Sequence, residues 1–388
     1  MIMNKKKASK IKKQPGKPIT LFIKRRPVFF SLICFSAICA VLYAVMAYNR
    51  DFAEWFSSQA ASKVRWTLGA VMSVAPFSVA EVLTLFFCVF TVFVLISLIV
   101  YLFRVIFGDA RARFPRGFSV IVMVCLVVLD LFVITFAPCY RRVSVEEHLG
   151  IGGDIDEDKL FNVLDWFIDE LNTSCEKVTY NERGASLCLT SFAALSSKIN
   201  NAVDSLCSKY DFLQNKGFRA KPVMLSEPWT YTHVSGVYTF FTGESNVNIN
   251  YPDYVIAYSA AHECAHQRGV AFENEANFIA LLVCLESDDD FIRYAGLCDV
   301  YSTIANSAYK TNKDRYYTAA ARLNKKISGE YSAFSEFFKK YEKNIYAETA
   351  SKINDGYLKS QGQQSGVVSY SLITKMTVNY IYKTYLAE

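Results

Sequence analysis

Histidine is scarce in this chain, four in 388 residues, and two of the four, His262 and His266, stand one helical turn apart with Glu263 between them. The eleven cysteines show no C-x-x-C spacing, so no zinc-ribbon or dithiol framework can be read from them. Residues 1–27 contain no acid at all against ten Lys or Arg. Charge is also missing over long stretches: residues 28–48 and 82–103 carry none, and 117–138 carry only Asp130. No small-residue cleavage site of the A-x-A type follows the first of these runs, which is longer than a signal-peptide core. It therefore reads as a retained signal anchor.

Each uncharged run is long enough, at about 1.5 Å per helical residue, to cross a hydrocarbon core of about 30 Å. Buried core helices seldom stay uncharged for so long, and three membrane spans are expected. Asp130 should then face a neighbouring helix or water rather than lipid. The net charge of +6 sits mainly in the basic tail against the first span. That is the positive-inside signature rather than a nucleic-acid arm, and it implies contact with a lipid bilayer and no nucleic acid as partner. The loop between the second and third runs carries Arg104, Arg111, Arg113 and Arg116 against Asp109, so it too is expected to be cytoplasmic. Residues 49–81 and everything after Pro138 then lie outside, in a multi-pass protein of the cell membrane with a cytoplasmic N-terminus. Arg141 and Arg142 oppose this order but are outnumbered.

The expected organisation is a basic cytoplasmic tail over 1–27, a membrane region over 28–138, and an extracytoplasmic domain over 139–388. The last is long enough to bury its own core. Its pattern is mainly helical. In "DEDKLFNVLDWFIDELN", Leu160, Val163, Leu164, Phe167, Ile168 and Leu171 share one face, with acids at the start. Residues 220–250 differ: β-branched and aromatic residues punctuated by Gly and Pro suggest a hairpin or two strands. The six cysteines beyond Cys139 permit disulfides, and their apolar neighbours suit free thiols equally well.

The stretch "AAHECAHQRGVAFENEANFIALL" carries the chemistry. Asn250, Pro252 and Asp253 form a helix start, and Gly269 is a natural stop. Imidazoles at i and i+4 project side by side, so His262 and His266 can bind one metal ion at about 2.0–2.1 Å. Glu263 lies about 100° round the helix, beside such an ion rather than on it. There it can act as general base and acid for a hydrolytic water. Tetrahedral zinc that keeps one position open needs a third protein ligand. In the next helix Glu275, Phe278, Ile279 and Leu282 share a face, which turns Glu275 inward. A buried carboxylate is costly unless it is paired or metal-bound, so Glu275 is the expected third ligand. Glu273 and Glu286 are the alternatives. Tyr231, His233 and Arg268 are oxyanion-stabiliser candidates by proximity in sequence. His148 reads as a surface residue and Cys264 as core.

"HECAHQRG" followed by "ENEANFIALL" resembles the gluzincin arrangement of zinc metallopeptidases, and the second element is similar to the third-ligand helix of the ImmA/IrrE-like peptidases. More closely, the run from Gly236 to Leu282, after three N-terminal spans, resembles the bacterial membrane family named for domain of unknown function 3810. The resemblance implies a zincin-like fold and a membrane-tethered metallopeptidase. It also suggests that the segment Gly236–Asn250 is a strand that holds substrate in extended form.

The expectation is thus a membrane plus mainly α architecture with a small β component. Its function would be zinc-dependent hydrolysis of a peptide or protein substrate near the membrane, with His262, His266 and Glu275 on Zn2+ and Glu263 as the base. A metal-binding membrane sensor or an envelope scaffold without turnover is the alternative.

Overall fold

The structure, a computed structural model, describes residues 26–109, 112–214, 216–342, 344–361 and 366–387. The basic tail over residues 1–25 and the arginine at 111 lie outside them. Three helices are long and apolar enough to cross a membrane: α1 (Pro27–Tyr48), α3 (Val79–Ile106) and α4 (Arg116–Thr135). The expected bounds are met within a few residues. The third helix stops at Thr135, where Pro138 cannot continue it and a tight turn over Ala137–Tyr140 begins. Asp130 accepts a hydrogen bond from Ser36 Oγ at 2.8 Å, which ties α4 to α1.

Residues between the first two apolar helices do not form a loose connection. They make short helical segments and α2 (Ser62–Met72), and these pack on the later domain. The Glu54 carboxylate accepts from Arg142 Nη2 at 2.7 Å and from the Val143 amide at 2.9 Å. Arg65, buried, donates to the Thr135 carbonyl at the end of α4 and to Gln214. Arg141 reaches the Tyr43 hydroxyl of α1 at 3.2 Å. The two arginines that oppose the charge asymmetry are therefore held by specific partners.

The domain core is a stack of helices: α5 (Glu157–Ser174), α6 (Phe192–Lys209), α7 (Asp253–Gln267), α8 (Glu273–Glu286) and α9 (Asp290–Thr311). The α5 stripe read from sequence is buried throughout. At the centre lies α7, where every residue from Tyr254 to Gln267 except His262 is buried. Such a helix has no polar face, and its alanines 257, 260, 261 and 265 let neighbours approach on all sides. Phe278 and Ile279 of α8 close the core, each contributing about 1.5–3 kcal/mol by burial. The eleven cysteines are free thiols, and Cys175, Cys207, Cys264, Cys284 and Cys298 are buried among these helices or beside them.

The β component is small. In the larger sheet, β1 (Lys221–Pro222) runs parallel to the central β3 (Glu244–Val247), and β2 (Gly236–Thr239) pairs antiparallel on the other side, giving the order β1-β3-β2. The β2–β3 turn contains Gly243 at φ +72°. Glu244, the first residue of β3, anchors the sheet to α3. Its buried carboxylate accepts from the Val79 and Ala80 amides at 3.1 and 2.8 Å and pairs with buried Lys221 at 2.6 Å. Negative charge at a helix N-terminus is favourable, and Lys221 also donates to the Met72 carbonyl at the end of α2. After α9 come two shorter helices over Lys313–Ala320 and Lys325–Phe338 and then α10 (Ile345–Ser360) and α11 (Gly366–Ile381), the last packed on α8 and α9.

Candidate metal centre

Helix α7 starts at Asp253 behind Pro252 and ends at Gln267, and Gly269 adopts φ +92°. That left-handed residue turns the chain back, so that the Val270 carbonyl lies 2.7 Å from His266 Nδ1. A carbonyl only accepts, so Nδ1 carries a proton, and in the neutral imidazole Nε2 is the nitrogen left with a lone pair for a metal. His266 Nε2 and His262 Nε2 are 3.0 Å apart.

The chain then enters α8, whose first residue, Glu273, brings its carboxylate to the pair. Its Oε2 is 3.3 Å from His262 Nε2, and its Oε1 is 3.8 Å from His266 Nε2. Three ligands on one tetrahedral ion at about 2.0–2.1 Å stand roughly 3.3 Å apart, so this donor set fits such an ion. Burial disfavours ionisation of Glu273, but its hydrogen bonds to the two histidines outweigh it and hold the carboxyl far below its ordinary range. Burial likewise works against a charged His266, and Glu273 overcomes it, raising the imidazole to about 9. A cluster that gathers positive charge onto a fixed carboxylate also suits a divalent cation.

Among the four acidic and basic residues first expected at the site, the structure brings together His262, His266 and Glu263, and it places Glu275 elsewhere. Glu275 is buried as its apolar stripe requires, but it turns toward the start of the domain, where it accepts from the Val145 amide at 2.9 Å. Burial pushes it up to about 7. The inward face and the metal face of α8 are different faces: at the helix N-terminus, Glu273 reaches back to α7 across the Gly269 turn. Glu286, at the far end of α8, bonds Ser205 and Lys209.

Glu263 lies beside the cluster, buried, with its main-chain carbonyl held by Ser245 of β3 at 2.9 Å. Burial raises its carboxyl, against the attraction of His262 and His266. Strand β2 passes so closely that a Cβ on Gly236 would sit 2.6 Å from Glu263 Oε1. The other oxygen, Oε2, is buried and has no hydrogen-bond partner among the described residues. Buried polar atoms are seldom left so, and a water or substrate group at the cluster would satisfy it.

None of the three oxyanion candidates read from sequence serves the cluster. Arg268 is buried against Asp204, Asn200 and Gln267. His233 Nε2 lies 2.6 Å from the Tyr341 carbonyl, and the Tyr231 ring packs on Tyr341. His148 stacks on Phe212, and Cys264 is in the core.

Two residues with no sequence signal stand there instead. The hydroxyls of Tyr140, after α4, and Tyr357, in α10, are 3.0 Å apart. Burial and then their mutual repulsion raise Tyr140. Burial also raises Tyr357, to about 12, and the Glu273 charge acts on both. Phe136 packs edge-on to the His266 ring, 6.1 Å between centroids, so the end of α4 forms one wall. On the far side, α9 supplies Asp299, raised by burial to about 7 and partly offset by His262.

With this geometry in view, comparison with known proteins gives one match. Residues 56–378 match the family described as "Protein of unknown function (DUF3810)". The chain belongs to this family. No curated protein and no solved structure matches it. The matched DUF3810 region begins within the segment before α2 and ends inside α11, so it takes in every helix from α2 to α10.

Proposed function

We propose that this DUF3810 protein is a membrane-anchored, zinc-dependent metallopeptidase, with His262, His266 and Glu273 as the ligands and Glu263 as general base. The observation that carries the reading is the convergence of two imidazole Nε2 atoms and one carboxylate, all donor atoms within 4.8 Å of one another, beside a second, unliganded glutamate. Two imidazoles and a carboxylate suit zinc. When bound, the ion supplies Lewis acidity where the three ligands converge.

The remaining chemistry belongs to the chain. Glu263, with a carboxyl raised by burial, takes a proton from the attacking water and passes it to the departing amine. The hydroxyls of Tyr140 and Tyr357 are O–H donors for charge developing on the carbonyl oxygen. Strand β2 is at an edge of its sheet and passes against Glu263 at Gly236, so its free rim suits an extended peptide by strand addition.

The apolar helices α1, α3 and α4 serve as the membrane spans. The segment joining α1 to α3 packs on the domain after α4, which requires both to share one side. Together with the basic tail and the Arg-rich loop, this favours an extracytoplasmic domain. The test is incubation of the full-length protein, in lipid nanodiscs, with a peptide library, reading new termini by mass spectrometry. Cleavage by the zinc-loaded wild type and none by Glu263→Gln supports the peptidase. Equal termini with both proteins would point to a metal-binding protein without turnover.

A further inference from the structure

Helix α10 stands apart from the rest of the domain, since none of its residues is buried. Its pattern is nonetheless amphipathic. Tyr346, Ala350, Ile353 and Tyr357 recur at i, i+4, i+7 and i+11 on one stripe, and Glu348, Lys352, Asp355 and Lys359 lie away from it. Tyr346 and Ile353 are 66% and 69% exposed, so this part of the stripe is turned away from the protein core, while Tyr357 at its end packs against it.

Both ends of the stripe are fixed at the level of the apolar helices. At one end, the Tyr357 ring is 6.2 Å from that of Phe132, within the last turn of α4, and its hydroxyl meets Tyr140. At the other, Tyr346 lines a cavity of about 420 Å³ with Glu227, Pro228, Tyr231 and Thr232. That stretch is tied to the first turn of α3, because Glu81 accepts from the Met224 and Leu225 amides at 2.7 and 2.9 Å. The start of α3 and the end of α4 mark the same membrane face. A helix running from one to the other, about 24 Å at 1.5 Å per residue, lies along that face rather than across it. Met224 and Leu225 are exposed at the same level.

We infer that α10 is an interfacial helix, seated among lipid headgroups with Tyr346 and Ile353 toward the acyl chains and the polar stripe toward water. Tyr357 then joins this lipid-bound helix to the candidate metal centre. The inference rests on α1, α3 and α4 spanning a bilayer; it does not depend on the peptidase reading.

The test uses the full-length protein in vesicles of phosphatidylcholine and phosphatidylglycerol, with p-benzoylphenylalanine placed singly at Phe93, Tyr346, Ile353 or Glu348. Phe93 lies mid-way along α3, and the other three positions are exposed, so folding should survive each change. After irradiation, lipid adducts are quantified by mass spectrometry. The expected result is labelling at Phe93, Tyr346 and Ile353, with at least a tenfold lower yield at Glu348. Labelling at Phe93 with Tyr346 and Ile353 no higher than Glu348 overturns the interfacial helix and leaves the spans intact. Failure at Phe93 removes the membrane reading and the inference with it.

Discussion

His262 Nε2 and His266 Nε2 lie 3.0 Å apart in the last two turns of a buried helix, and the same two atoms face the Glu273 carboxylate. The orientation of His266 is set by the main chain, since the Val270 carbonyl holds its Nδ1. Orientation by a neighbouring acceptor is how a metal-binding histidine is usually prepared.

Glu263 is close to the donor set without belonging to it. Glu263→Gln should leave zinc content near that of the wild type and reduce peptide cleavage on the order of 10²–10⁴-fold, the usual contribution of a general base. Single-turnover assays on the zinc-loaded protein check this. Full activity in the Gln variant would remove Glu263 from the chemistry.

Tyr357→Phe removes one hydroxyl of the Tyr140–Tyr357 pair and keeps the ring contact with Phe132. If that hydroxyl serves the oxyanion, kcat should fall by roughly 10²–10³-fold with zinc content unchanged. A loss of zinc parallel to the loss of rate would instead assign the tyrosine to the metal site's architecture.

Glu244 is buried, pairs with Lys221 and caps α3. Its replacement by Ala leaves a buried ammonium without its carboxylate and should cost about 3–5 kcal/mol of stability. Denaturant unfolding in detergent micelles measures the loss, and Lys221→Met added to Glu244→Ala should recover part of it. A change below about 1 kcal/mol in the single variant would contradict the pairing.

Much of this was legible in the sequence because it depends on local pattern. Uncharged length marks α1, α3 and α4, and the 3.6-residue period marks the α5 stripe. Asp253 and Gly269 mark the ends of α7, and the four-residue histidine spacing marks the ligand pair. The third carboxylate was not legible. Periodicity says which residues of α8 point inward, but Glu273 meets the histidines through the Gly269 turn, whose path periodicity does not encode. Glu275 obeys the inward pattern and finds the Val145 amide instead. Tyr140 and Tyr357 come from segments far from the motif on either side, and only the tertiary fold brings them together. Residues 49–81 gave no sign of docking because their anchors, Glu54 and Arg65, are single charged residues whose partners lie beyond the second apolar helix.

The central claim is that His262, His266 and Glu273 hold one zinc ion. The direct test is the metal content of the purified full-length protein beside His266→Ala, Glu273→Gln and Glu275→Gln, with zinc affinity measured for each. The account predicts about one zinc per chain in the wild type, as the three-ligand site requires. It also predicts none in His266→Ala, weakened binding in Glu273→Gln, and wild-type binding in Glu275→Gln. A folded wild-type protein that takes up no zinc, or a Glu275→Gln variant that loses it while Glu273→Gln keeps it, would contradict the account.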